Sequence, residues 1–164
     1  MKAVRLGNDT LNVRYLVSGE IGNLLLPPSA IGRRTNDLWR HTCFEAFLCA
    51  PPDAGYCEFN FSPSTQWAAW RFETYRSGRR GLDVAAPRIN IRSNAAQFEL
   101  SAALPMNGVS TFRAALWNLG LSAVIEETNE HLSYWALAHP PGRADFHCAE
   151  TFALELAPAA RVGT

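Results

Sequence analysis

The chain has 164 residues, of which 48% are hydrophobic and 18% are charged. This length and composition are typical of one globular domain that buries its own core, and they exclude a disordered chain. Fifteen basic residues balance fifteen acidic ones, so there is no net charge to attract nucleic acid or an anionic membrane. The sequence therefore predicts a single domain over residues 1–164 that binds neither.

The amino-terminal residues lack the apolar stretch of a secretion signal. No run approaches the roughly 18 apolar residues that a membrane helix needs. We therefore expect a cytoplasmic protein, whose cysteines are reduced thiols. The spacing of Cys43, Cys49, Cys57 and Cys148 matches no zinc-binding pattern, and we assign no metal and no cofactor. Cys57 alternates with two phenylalanines and is predicted to be a small core residue.

Strand-like runs recur along the whole chain, and turn-forming residues separate them. In chain order they cover residues 11–17, 42–49, 56–62, 66–76, 88–92, 97–104, 111–116, 119–126, 132–138 and 151–156. Helical periodicity is weak, with one short helical turn expected within residues 108–115. About nine or ten short strands with regular turns predict an all-β protein, an antiparallel sandwich or barrel.

The second and third of these runs form a predicted hairpin with two unlike faces. Alternate side chains of a strand point to opposite sides of the sheet. One face is mostly apolar and carries Thr42, Phe44, Ala46, Leu48, Cys57, Phe59 and Phe61. The opposite face brings Glu45, Glu58 and Asn60 together, away from the core. The sequence thus predicts a sheet face that is equipped to bind a ligand.

Two carboxylates on one face allow two kinds of chemistry. Glu45 and Glu58, if about 5 Å apart, would have the geometry of a retaining glycosidase. The same arrangement serves equally well to accept hydrogen bonds from sugar hydroxyls. The sequence contains no glycine-rich phosphate loop, no serine nucleophile elbow and no His-Glu-x-x-His motif. We therefore favour recognition over catalysis, assign no catalytic residue and predict that the protein is not an enzyme.

Two aromatic side chains stand in polar surroundings. Trp39 precedes the hairpin beside Arg40, and Phe146 lies between Asp145 and His147 in a predicted loop. An apolar ring in such a place is either packed under its loop or presented to a ligand.

The late loop also raises the question of a metal or haem. His139, Asp145, His147 and Cys148 are suitable ligand types, but their spacing is not a recognised metal pattern. A solvated loop with one ligand-facing histidine is the alternative that we prefer. Haem ligation through His147 or Met106 is possible in principle, although nothing in the spacing requires it.

Three stretches of sequence suggest a family. Residues 37–48, DLWRHTCFEAFL, resemble the "Leu-Trp, short polar step, Val-Glu-Val-Phe-Leu" signature of the ninth family of carbohydrate-binding modules. Residues 56–63, YCEFNFSP, are similar to the strand that follows it there. Residues 133–140, followed by residues 145–147 and 152–154, look like the end of bacterial DOMON-like domains, which are relatives of those modules.

The resemblance implies an immunoglobulin-like or jelly-roll β-sandwich that binds saccharide ends on one sheet without catalysis. In those modules two aromatic rings sandwich a sugar, and the positions that match are Trp39 and Phe146. The strand glutamate that accepts hydroxyl hydrogen bonds would be Glu45. Asn60 falls where the modules can carry an arginine, and Phe146 where they carry a tryptophan. The sequence departs from the family pattern at both positions.

The sequence therefore favours a non-catalytic domain that binds a small carbohydrate or polyol in a shallow groove between residues 33–40 and 139–147. The predicted ligand-binding residues are Trp39, Arg40, Glu45, Glu58, Asn60, Phe146 and His147. The alternatives are a haem- or metal-binding DOMON-type domain and a protein-interaction domain, with a homodimer as one form of the latter.

Overall fold

The computed structural model describes residues 1–6, 10–52, 54–106 and 116–157, which contain eleven strands in two antiparallel sheets. The prediction of an all-β sandwich is confirmed. The strands are β1 (Lys2–Leu6), β2 (Thr10–Ser18), β3 (Cys43–Cys49), β4 (Tyr56–Phe61), β5 (Trp67–Phe72), β6 (Arg80–Gly81), β7 (Arg88–Ser93), β8 (Gln97–Pro105), β9 (Trp117–Glu126), β10 (Leu132–Ala136) and β11 (Leu154–Leu156). Single-turn 3₁₀ helices occupy Ile21–Asn23, Leu38–Arg40 and Ala149–Thr151. In the described ranges, then, no helix is long enough to cross a membrane.

Two strands were not predicted. β1 alternates only weakly between exposed and buried positions, and β6 is two exposed residues long. Neither carries the apolar alternation on which a prediction depends. The predicted strand at residues 111–116 has only its last residue within the described chain, where it belongs to no strand. The predicted helical turn at residues 108–115 lies outside the described residues.

The smaller sheet has the strand order β1-β2-β8-β7, and the larger has β10-β9-β3-β4-β5-β6. β11 pairs with the first residues of β9, Trp117 to Leu119, and β10 pairs with its later residues, Ser122 to Glu126. The predicted hairpin of β3 and β4 lies at the centre of the larger sheet. β3 is hydrogen-bonded to β4 on one side and to β9 on the other.

The main core fills the space between the sheets. The apolar face that the alternation assigns to β3 and β4 points inward, where Phe44 packs on Tyr15 and Phe98 of the smaller sheet at ring-centroid distances of 5.1 and 5.7 Å. Phe59, Phe61 and Cys57 are buried in the same core. The predicted inner face of the hairpin, including Cys57, is confirmed. Aromatic burial of this kind supplies the main driving force for folding.

Candidate functional site

The outer face of the larger sheet carries the polar side chains that the sequence singles out. The strand register places Glu45 directly opposite Asn60 on β4 and opposite Ser122 on β9. Glu58 lies two residues before Asn60 on β4, so its side chain is on the same face, and it is paired with Phe47. The two glutamates are therefore diagonal neighbours, close enough for their side chains to interact.

These side chains are not on an open surface, contrary to the expectation of a shallow groove. Glu45 is 4% exposed, Glu58 6% and Asn60 1%. Part of the reason is that the chain returns over the sheet after β10. Residues 145–152 lie against this face at Phe47 of β3, Tyr56 of β4 and Gly120 of β9. We call them the crossing segment. The sequence could not show this burial, because the covering residues follow the hairpin by about ninety positions.

A glycine allows the crossing segment to approach the sheet closely. Gly120 lies on β9 opposite Phe47. A methyl group at this position would lie 3.0 Å from the backbone oxygen of Thr151 and 3.0 Å from the Phe152 ring. Glycine inside a strand often marks such a close approach, so Gly120 is a residue from which the contact could have been inferred.

A second apolar cluster lies beneath the crossing segment. Its buried members are Phe47, Tyr56 and Phe72, and Phe146, Phe152, Trp70 and Cys49 pack around them. Tyr56 stacks on Phe72 at a centroid distance of 4.9 Å, and Phe152 stacks on Phe47 at 6.1 Å. The outer face of the sheet thus has an aromatic end next to the carboxyl groups.

His147 joins the aromatic cluster to the polar side chains. Its ring meets Phe47 and Phe72 edge-on, at centroid distances of 5.0 and 5.2 Å. The hydroxyl of Tyr56 lies 2.7 Å from Nδ1 of His147, and this hydroxyl also accepts the backbone N–H of Arg76 at 3.1 Å. Burial, with a smaller effect of the Arg76 charge, lowers the pKa of His147 to about 4, so the ring is neutral at physiological pH.

A neutral ring that accepts the Tyr56 hydroxyl proton at Nδ1 carries its own proton on Nε2. Nε2 lies 3.9 Å from Oε2 of Glu58. Since the ring is uncharged, the contact joins a neutral N–H group to the carboxyl group of Glu58. It is not an ion pair.

Asp145 attaches the crossing segment to the end of β5. Its carboxylate accepts hydrogen bonds from the Tyr75 hydroxyl, from Nη2 of Arg76 at 2.8 Å and from the backbone N–H of His147 at 3.1 Å. These hydrogen bonds lower the pKa of Asp145 against the opposing effect of its partial burial. Because one carboxylate bonds both Arg76 and the backbone of His147, Asp145 helps to hold His147, two residues along the chain, in position.

The two glutamates are held with little charge compensation. Nδ2 of Asn60 donates to Oε1 of Glu58 at 2.7 Å, and Oγ of Ser122 donates to Oε2 of Glu45 at 3.3 Å. Burial, followed by the charge of Glu58, raises the pKa of Glu45 to about 8. Burial also raises the pKa of Glu58, against the hydrogen bond from Asn60. Strongly shifted groups of this kind are enriched at functional sites.

Trp39 and Arg40 lie outside the sheet, just before β3. They belong to the 3₁₀ helix Leu38–Arg40, which packs against β3 and β4. Trp39 is 47% exposed, and the Arg40 guanidinium lies 5.1 Å from the centre of its ring. Phe146, in contrast, is partly buried and contacts Tyr134 and His139. Trp39 is thus presented to solvent, whereas Phe146 is packed under its own loop.

The sequence did not single out Tyr56, Ser122 or Arg76. Tyr56 and Ser122 share the outer face through the same alternation as Glu58 and Glu45, so the strand pattern could have found them. Arg76 has a positive φ of 52° after β5 and gave no sequence signal. Met106, considered as a haem ligand, is buried in the main core. No three His, Cys, Asp or Glu side chains of the described ranges form a group that could hold a metal ion.

A separate apolar cleft of about 180 Å³ opens between the two sheets, beside Tyr15, Phe44 and Trp135. The described residues that line it include no charged side chain, whereas the outer face of the larger sheet brings buried carboxyls, a histidine and aromatic rings together. The chemical character of the outer face makes it a stronger candidate for a functional site than the apolar cleft.

No protein-family model matches the sequence. No curated protein matches it either. Among solved structures, the fold is similar to that of a protein from Bacteroides uniformis that is named a "putative carbohydrate-binding protein", with a TM-score of 0.64 and 13% sequence identity. The match covers 90% of this chain and 72% of the other. At this identity the likeness establishes a shared fold.

Proposed function

We propose that this protein is a non-catalytic domain that binds a small carbohydrate or polyol on the outer face of its larger sheet. The observation that carries the proposal is the convergence of Glu45, Glu58 and Asn60 with His147, which is separated from them by about ninety residues of sequence. A few placed polar groups beside aromatic rings are typical of small-molecule sites.

The residues divide into two roles. Glu45, Glu58 and Asn60 would hydrogen-bond the ligand's hydroxyl groups, together with Nε2 of His147. The exposed Trp39, with Arg40 beside it, would offer a flat apolar surface on which a sugar ring can stack. Phe146 already packs against the aromatic cluster, so we assign it a supporting role and no contact with the ligand.

The fold of the Bacteroides uniformis protein, together with its name, agrees with this assignment. We also propose that the chain is a bacterial DOMON-like domain, related to the ninth family of carbohydrate-binding modules, on the strength of the three sequence stretches given above. An affinity between millimolar and micromolar, about −4 to −8 kcal/mol, is what we expect of such a site.

A glycan array followed by isothermal titration calorimetry tests the proposal. Trp39→Ala should abolish binding of any glycan found and change the free energy of unfolding by less than about 0.5 kcal/mol, because the ring is half exposed. Trp135→Ala is a matched control, since Trp135 is 59% exposed and lies on the opposite face. An array that yields no ligand, or equal binding by both variants, would contradict the proposed site. A dimer that buries Trp39 would favour an interaction domain instead.

A further inference from the structure

One edge of β10 has no partner strand in the described part of the chain. β10 is the terminal strand of the larger sheet, and its neighbour is β9. The backbone N–H of Leu137 donates to the carbonyl oxygen of Leu121 on β9 at 3.0 Å, and the carbonyl oxygen of His131 accepts the N–H of Glu127 at 2.9 Å. Because the hydrogen-bonding direction alternates along an antiparallel strand, the even-numbered residues between His131 and Leu137 turn their backbone groups away from β9. These residues are Leu132, Tyr134 and Ala136.

β10 also lacks the features that protect a sheet edge from other chains. Edge strands ordinarily carry charged side chains or proline, which oppose pairing with another strand. β10 has the sequence LSYWA, with neither. Each of the other edge strands that the structure describes contains at least one charged residue: Lys2 and Arg5 in β1, Arg80 in β6, Arg88 and Arg92 in β7, and Glu155 in β11. Among the described edges, β10 therefore opposes the addition of another strand least.

The side chains around this edge are apolar and exposed. Trp135 is paired with Ala123 of the main core, so its ring is on the core-facing side of the larger sheet, yet Trp135 is 59% exposed. It lines the apolar cleft of about 180 Å³ together with the exposed Leu16. Tyr134, on the opposite side of the strand, is half exposed although its ring contacts Phe146. Exposed apolar side chains that gather at one open edge are typical of an interaction surface.

We propose that β10 is a self-association surface, on which a second copy of this chain adds its own β10 in antiparallel pairing about a two-fold axis at Tyr134. The two larger sheets then form one continuous sheet. A two-fold dimer uses the same patch on both copies, and it is the commonest symmetric assembly. The proposal does not depend on which ligand the outer face binds.

The open edge fits a second copy of itself. The register about the axis places Leu132 opposite the partner's Ala136, and Tyr134 opposite the partner's Tyr134. These are the residues whose N–H and C=O groups face outward, so each pair exchanges two hydrogen bonds, as in a regular antiparallel ladder. Trp135 then lies opposite the partner's Ser133, and the two indole rings come to the same side of the joined sheet. Because β10 is uncharged, no like charges of the strand face each other across the axis.

Sedimentation velocity over a range of concentrations tests the proposal on the unmodified chain. We expect a reversible equilibrium between the 18.1 kDa chain and a species of twice that mass. The dissociation constant should lie in the micromolar to millimolar range, because an interface built on one short strand is small. A chain that stays monomeric at all of these concentrations would overturn the proposal.

Tyr134→Lys is the most specific variant, because the axis places residue 134 opposite its own copy. Two like charges then replace an aromatic pair, so dimerisation should weaken by at least about tenfold. Val4→Lys is the matched control, since Val4 is exposed on β1, an edge strand of the smaller sheet. This control should dimerise as the unmodified chain does. Equal weakening by both variants, or by neither, would contradict the proposed surface.

A pair of opposite charges separates loss of the surface from loss of the fold. Tyr134→Glu alone should also weaken self-association. An equimolar mixture of Tyr134→Lys and Tyr134→Glu should form a heterodimer, since opposite charges now face each other across the axis. Such a heterodimer requires that both variants are folded. If circular dichroism shows two folded variants whose mixture does not associate, residue 134 does not face its own copy and the proposal fails.

Discussion

The two faces of β3 and β4 are both buried, but for different reasons. The inner face packs its phenylalanines on the smaller sheet, where apolar contact alone accounts for the burial. The outer face places two carboxyls and an asparagine at 1 to 6% exposure, and Glu58 lies beside His147, which returns from far along the chain. Burial of the first kind stabilises the fold, whereas burial of the second kind costs free energy because it removes carboxyl groups from water. This difference within one hairpin is the physical basis of the proposal that the outer face binds a ligand.

The largest expected effect on stability comes from creating a cavity in the inner face. Phe59 is 1% exposed in the main core. We expect Phe59→Ala to lower the free energy of unfolding by about 3–5 kcal/mol, through lost apolar burial and the cavity left behind. Urea unfolding monitored by tryptophan fluorescence measures it. Trp39→Ala is the comparison at an exposed ring, and a similar loss there would mean that Trp39 belongs to a core.

The second test uses the pH dependence of the outer face. Glu45 has a pKa of about 8 in the folded protein, against 4.5 as an ordinary carboxyl group. The folded state therefore binds more protons than the unfolded state between these values, and stability falls as pH rises through that range, by up to about 1.4 kcal/mol per pH unit. Glu58, whose pKa is also raised, acts in the same direction.

His147 acts in the opposite direction over part of this range. Its pKa falls from 6.5 to about 4 on folding, so its contribution to stability is lost as pH falls from 6.5 to 4. The effects of His147 and Glu45 oppose each other below pH 6.5, and the interval from about pH 6.5 to 8 reports on the glutamates. Glu45→Gln should flatten the decline there in denaturant titrations at several pH values. An unchanged slope would show that Glu45 is ionised or exposed.

The smallest expected effect on stability comes from removing one hydroxyl from the contact between the sheet and the crossing segment. We expect Tyr56→Phe to lower the free energy of unfolding by about 1 kcal/mol, because Nδ1 of His147 and the backbone N–H of Arg76 lose their common partner. The matched control is Tyr134→Phe, since Tyr134 is half exposed. Equal stability of the two variants in urea would mean that the Tyr56 hydroxyl does not hold the crossing segment.

The fold was largely predictable, since period-two alternation identified most of the strands and the inward face of the central hairpin. It also assigned Glu45, Glu58 and Asn60 to one common side. The edges were harder: β1 and β6 lack a clear pattern because an edge strand with few buried positions leaves little trace in the sequence. Trp39 could be located before β3, but whether it is exposed depends on packing that no local pattern records.

The sequence by itself determined the β class, the central hairpin and the two unlike faces, because alternation along a strand is a local property of the chain. Only the tertiary structure decided that the polar face is covered, that His147 lies beside Glu58 and that Asp145 is paired with Arg76. These contacts join residues separated by about seventy to ninety positions. The shifts in pKa follow from the same long-range packing, because desolvation depends on everything that surrounds a group.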